Sequence, residues 1–193
     1  MKRIISTLTV VFILVLAFSA CATPPIEEMQ KARDAVTRAE NDADAVTYAG
    51  NLVVRARDAL TRMESEADSK RYDAVKEYAI EAINNAERAI SEGQSAKERS
   101  KSEASALLDA LKSLLTETQN AINKARSVPN ILLDFNALTQ DLNQARKIYD
   151  EAQQSFQAGN NLDAVAKGQS ARTLLSDINT RINEAAFETS RKQ

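Results

Sequence analysis

The sequence predicts an all-α protein: an elongated helical bundle of antiparallel hairpins, built as two similar three-helix units sharing a long central helix. Three observations lead there. Only four Gly and three Pro occur in 193 residues, so helix breakers are few. Apolar residues, mostly Ala, Leu, Ile and Val, recur at spacings of three and four in six successive stripes, with no sustained alternation of the kind a strand needs. Polar turn signals at 68–71 and 158–161 separate consecutive stripes, and four residues suffice to reverse a chain into an antiparallel neighbour.

Met1-Lys2-Arg3 is a short basic start, and Ile4 to Phe18 is apolar apart from Ser6, Thr7 and Thr9. The run is shorter than the roughly 20 residues of a spanning helix, and small residues follow it. That is the layout of a secretory signal, assigned to residues 1–20. Ser19-Ala20-Cys21 at its end resembles the lipobox of bacterial lipoproteins, with Phe18 where that motif usually has Leu. The resemblance implies cleavage between Ala20 and Cys21 and acylation of Cys21. Cys21 is also the single cysteine of the chain, and a thioether to lipid accounts for an unpaired thiol in an exported protein. Each buried methylene contributes about 0.8 kcal/mol, so two or three acyl chains anchor permanently. Ala22, where an inner-membrane retention signal would have Asp, implies the outer membrane in preference to the inner.

After a tether over 21–25, Pro24-Pro25 opens the first helix, since proline suits a first turn. The first stripe is Ile26, Met29, Ala32, Ala35/Val36, Ala39 and Ala43; Tyr48-Ala49-Gly50-Asn51 interrupts it, with Asn51 as the expected cap. Leu52, Ala56, Ala59/Leu60, Met63 and Ala67 form the second, and Tyr72, Val75, Tyr78/Ala79, Ala82/Ile83, Ala86 and Ala89/Ile90 the third, completing a first unit over 26–90. Residues 91–103 contain one apolar side chain, Ala96, so this stretch is expected to be a solvated helical connector with no face to bury. The second unit, 104–187, opens on Leu107/Leu108, Leu111, Leu114/Leu115, Thr118, Ile122 and Ala125, ended by Val128-Pro129-Asn130. Leu138, Leu142, Ala145, Ile148/Tyr149, Ala152 and Phe156 follow, then Leu162, Val165, Leu174/Leu175, Ile178, Ile182 and Ala185; residues 188–193 form a polar, frayed tail. An unbroken helix from Tyr72 to Arg126 would run about 80 Å at ~1.5 Å per residue.

The halves look duplicated. Ala56-Arg57 matches Ala145-Arg146 at an offset of 89, and Asp73-Ala74-Val75 matches Asp163-Ala164-Val165 at 90, which implies one inserted residue. Tyr72-Asp73-Ala74-Val75 and Gly159-Asn160-Asn161-Leu162-Asp163-Ala164 resemble the middle of a tetratricopeptide repeat, although its 34-residue period and closing Pro are missing. Residues 24–90 more closely resemble short envelope lipoproteins of Gram-negative bacteria known only as a domain of unknown function. These share a Tyr-Ala break, here Tyr48-Ala49, and a hairpin of the form Leu-x3-Ala with Tyr-x2-Ala, here Leu52, Ala56 and Tyr72, with Val75 replacing the last Ala. That resemblance implies helices and an envelope location, and no reaction.

Little in the chain points to chemistry. There is no His, hence none of the commonest general acid–base group or metal ligand. Glu40-Asn41-Asp42-Ala43-Asp44 lacks the turn Gly and distal Glu of a calcium loop and reads as a solvated acidic loop. No phosphate loop or nucleophile elbow occurs. The whole chain has 25 basic and 27 acidic residues, and without Lys2 and Arg3 the mature part is more acidic still, no footprint for nucleic acid. The expectation is therefore a non-enzymatic helical interaction or structural module without catalytic residues, metal or cofactor. It would be held at the envelope membrane through acylated Cys21 and bind an envelope protein. The alternative is a ligand-binding lipoprotein offering a groove, lined by Tyr48, Tyr72, Tyr78, Tyr149 and Phe156, to a peptide or glycan.

Overall fold

The computed structural model describes residues 23–191, so the expected cleavage and lipidation positions Ala20 and Cys21 lie outside the described residues. Within them every regular element is helical: α1 (Ile26–Asn41), α2 (Ala43–Tyr48), α3 (Gly50–Asp68), α4 (Tyr72–Arg126), α5 (Phe135–Gln157) and α6 (Asn161–Ser190). The all-α expectation holds. Two compact units divide within α4, one up to Gln94 and one from Ser95.

The first unit is cored by small side chains. Ala32, Ala35 and Ala39 of α1, Ala56 and Ala59 of α3, and Ala79, Ala82, Ala86 and Ala89 of α4 are all buried. Methyl groups let helix backbones approach closely. The larger contributors are few, with Met63 fully enclosed. Two ion pairs, Arg33 with Glu64 at 3.1 Å and Arg57 with Glu40 at 2.7 Å, cross between α1 and α3 at the surface; such pairs contribute up to about 1 kcal/mol each. The second unit has a Leu/Ile core from Leu107, Leu111 and Ile122 of α4, Leu138 and Leu142 of α5, and Leu175, Ile178 and Ile182 of α6. Thr118 sits fully buried within it, and its hydroxyl accepts a hydrogen bond from Asn179 Nδ2 at 2.8 Å. A polar residue in an apolar stripe is thereby satisfied.

Several sequence expectations are corrected. The first stripe breaks at Asp42, whose carboxylate caps α2 by accepting from the Ala45 amide at 2.8 Å. The break changes the helical phase, so Ala45 and Ala49 are buried while Ala43 is exposed; Ile26, at the start of α1, is 71% exposed. Asn51 is no cap: it lies exposed in the first turn of α3, and Ala49 holds the junction, its carbonyl accepting from Leu52 at 2.9 Å. Leu162 is 50% exposed, with Asn161 and Ala164 at the buried positions instead.

The 91–103 stretch is helical but does bury side chains. Gly93 and Ser100 are buried, continuing a row of small residues from Ala82, Ala86 and Ala89. A search for apolar side chains misses such a row, because glycine has no side chain and serine has a polar one. At Gly93 the close neighbour is α2: an added Cβ would lie 2.7 Å from the Ala45 Cα and N and the Asp44 carbonyl carbon.

The two hairpins share one internal register, at a constant offset of 89 with no inserted residue. Lys70 (φ 56°) and Gly159 (φ 80°) occupy the same left-handed position. Arg71 N donates to Glu66 O at 3.0 Å and Lys70 N to Ala67 O at 2.9 Å; Asn160 N donates to Ser155 O at 2.9 Å and Gly159 N to Phe156 O at 3.0 Å. Each turn is a Schellman motif. Buried positions follow the same offset: Val53 and Leu142, Ala56 and Ala145, Met63 and Ala152, Val75 and Ala164, Ala82 and Ala171, Ala89 and Ile178. The apparent insertion arises because Ala74-Val75 and Ala164-Val165 match by letter, whereas the side chain facing the core is Val75 in one and Ala164 in the other.

Candidate functional site

Clefts open among the described residues of the second unit. One forms where the chain leaves α4. Asn130 adopts a left-handed conformation (φ 60°), and the chain then runs irregularly from Ile131 to Asp134. Asp134 ends the run by capping α5, accepting from the Asn136 and Ala137 amides at 2.9 and 3.0 Å. Neighbouring side chains in such a segment point to opposite sides. Ile131 and Leu133 pack against the second core, and Leu132 between them is 81% exposed. Facing this segment are the last turns of α6. Together Leu132, Leu133 and Asp134 with Arg181, Glu184, Ala185, Phe187 and Glu188 bound an open cleft of about 620 Å³. Arg181 is held from behind by Asp141 at 2.8 Å and Asp177 at 3.5 Å, contacts that favour its charged form. The Arg191 guanidinium lies 5.8 Å from the centroid of the Phe187 ring.

Another cleft, about 470 Å³, lies between α4 and α5, bounded by Glu98, Lys101, Ser102, Ser105, Ala106, Asp109 and Phe156. Phe156 is thus one expected groove residue that borders a cleft. The others are placed differently. Tyr72 and Tyr78 pack against the first core, with the Arg62 guanidinium 6.0 Å from the Tyr78 ring. Tyr48 is half-buried at the end of α2. Tyr149 packs against the second core, its hydroxyl accepting from Gln153 Nε2 at 2.9 Å; burial, then the nearby Asp150 and Asp109 carboxylates, raise its pKa. The five divide between the units, three in the first and two in the second.

One side-chain cluster went unnoticed in the sequence. Ser155 Oγ donates to Asp163 Oδ2 at 2.5 Å, and Lys167 Nζ donates to the same oxygen at 2.5 Å and to Ser155 Oγ at 3.1 Å. A serine beside a lysine invites a nucleophilic reading. Here Lys167 Nζ donates to both oxygens and the serine hydroxyl donates to Asp163, so the lysine is not placed to take the serine proton. The lysine contact first, then the serine hydroxyl, lowers the Asp163 pKa. The arrangement clasps the end of α5 to the start of α6 across the Gly159 turn. Its sequence signal is an Asp163–Lys167 pair one helical turn apart beside a hairpin turn.

The acidic stretch 40–44 is likewise occupied structurally, with Glu40 paired to Arg57 and Asp42 capping α2. Among the described residues no three His, Cys, Asp or Glu side chains converge as a metal site, and no helix is long and apolar enough to cross a membrane.

No curated protein and no solved structure matches this chain. Residues 27–105, from the first turn of α1 into α4, match the model of a family described as a domain of unknown function, DUF4398.

Proposed function

We propose that this protein is an acylated lipoprotein of the bacterial envelope, acting there as a non-enzymatic helical interaction or structural module. The observation that carries the reading is Ser19-Ala20-Cys21 at the end of a short apolar run, with four residues between Cys21 and the first helix at Ile26. So short a tether would hold the first unit close to the lipid surface, where it could present its helices to another envelope component. Ala22 directs the acylated protein to the outer membrane. The hairpin resemblance to envelope lipoproteins points the same way.

The test is metabolic labelling in the native host. The parent protein is expected to incorporate labelled palmitate and fractionate with membranes, and Cys21→Ser to lose both. A parent that takes up no label refutes the anchor. A complementation panel then tests the module: single Asp→Asn, Glu→Gln or Ser→Ala substitutions should leave function intact, and loss of the lipid should abolish it. One carboxylate or serine substitution that abolishes function without disturbing folding or location would show a catalytic or ligand site instead.

The second reading, a ligand-binding lipoprotein, is favoured by the cleft at Phe156. There an aromatic ring borders a space edged by Ser102, Ser105, Asp109 and Lys101, a combination suited to a saccharide or a peptide. Phe156→Ala would then abolish saccharide- or peptide-induced shifts in a nuclear magnetic resonance titration.

A further inference from the structure

We propose that the cleft between the Ile131–Asp134 segment and the last turns of α6 docks a basic amphipathic helix of a partner protein. The inference rests on the interaction-module reading and specifies its surface.

Single exposed apolar side chains are ordinary. Here two highly exposed ones, Leu132 at 81% and Phe187 at 63%, come from segments far apart in the chain and border the same cleft of about 620 Å³. That makes a patch. Leu132 is also held in place. Ile131 and Leu133 on either side are anchored in the core, and Asp134 is fixed as the cap of α5. A partner would therefore meet an apolar side chain already ordered, which lowers the entropic cost of binding.

The shape suits a helix. Arg181, Glu184, Ala185 and Glu188 follow the i, i+3, i+4, i+7 row of α6, so one wall is a helical ridge with a groove beside it. An amphipathic helix lays its apolar stripe into such a groove. Charge selects the partner's polar face. Carboxylates of Asp134, Glu184 and Glu188 edge the cleft; the guanidiniums beside them are Arg181, already shared by Asp141 and Asp177, and Arg191 at the Phe187 ring. The Phe187 ring already has the Arg191 guanidinium near its face, the contact a partner's Arg or Lys would make. An acidic edge of this kind disfavours an anionic lipid surface as the occupant.

The test uses the whole mature protein and two fluorescent peptides with the same leucine stripe, one carrying lysines on its polar face and the other glutamates. Anisotropy is expected to show binding of the Leu/Lys peptide, weakening as salt rises, and none of the Leu/Glu peptide. Leu132→Ala and Phe187→Ala should each weaken binding about tenfold, as anchor residues do, and Glu184→Lys should weaken it comparably. All three residues are exposed, and circular dichroism of each variant establishes that folding is unchanged. Failure of both peptides to bind overturns the proposal, as do equal binding of both and full affinity in the Leu132 and Phe187 variants. Sedimentation showing a dimer that those variants dissociate would make a second copy the occupant and overturn it too. Loss of anionic-vesicle binding in the same variants would do so in favour of lipid. A photoreactive residue replacing Leu132 in native envelopes, with another replacing the exposed Ile80 for comparison, separates this inference from the reading beneath it. Protein crosslinks from position 80 alone overturn the cleft and leave the module reading standing, whereas none from either position counts against both.

Discussion

Replacing Gly93 with Ala should destabilise the first unit although it improves the helix. In an exposed helix interior the change is favourable by about 1 kcal/mol. Gly93 lies inside α4, and the three atoms nearest an added Cβ, all at 2.7 Å, are backbone atoms of Ala45 and Asp44. Carbon atoms sit comfortably at roughly 3.5–4.0 Å, so α2 would have to retreat by about an ångström. It cannot do so alone, since Asp42 caps it and Ala45 and Ala49 are buried beneath it. Overpacking of a core costs about 1–3 kcal/mol when side chains can adjust; with only backbone to move, the upper end applies. Subtracting the propensity gain leaves a net loss of about 2 kcal/mol. Gly168 is the internal control. Its added Cβ would meet Leu107 Cδ2 at 2.6 Å and Cγ at 3.1 Å, the far end of a side chain that can turn aside. There the propensity gain offsets much of the cost, and the change should stay within about 1 kcal/mol of the parent. Urea and thermal unfolding of residues 22–193, followed by circular dichroism, measure both. A Gly93→Ala variant as stable as the parent, or a Gly168→Ala variant losing more, would refute the close approach of α2 to α4.

Lys70 and Gly159 hold the same left-handed turn position, so Lys70→Gly should stabilise its hairpin, and Gly159→Ala destabilise the other, by about 1 kcal/mol each in thermal melts. Met63 is fully buried among alanines that cannot close over a gap, so Met63→Ala should cost about 3 kcal/mol in urea unfolding. The folded state lowers the Asp163 pKa below its ordinary 3.8, so its clasp contributes stability that is present above that value and lost as pH falls through the lower folded pKa. Unfolding measured as a function of pH should show this acid-side loss in the parent and a smaller one in Asp163→Asn.

Helix existence was legible in the sequence because periodicity and turn chemistry are local. Three-four spacing marks the buried face of a helix whatever it packs on, and helices end near Pro129 through its backbone restriction and at Gly159 through its freedom to adopt positive φ. Even Asp42 carried a local signal, an acidic cap three residues before the amide it accepts from. The repeated hairpin was legible by letter, but its register required the turns, because letters cannot say whether Ala74 or Val75 faces inward. The proposed export signal and acylation site are legible in the sequence alone, because such signals are linear patterns. Tertiary structure decided the rest. Gly93 is buried because another helix backbone crosses it, and nothing in residues 91–103 encodes that crossing. Leu162 and Leu132 are as apolar as Leu138, but a side chain is buried only where a neighbouring element covers it, and none covers these two. The cleft joins Leu132 to Phe187, which are far apart in the chain. Such a juxtaposition is set by how α4, α5 and α6 pack, so it exists only once the bundle has formed.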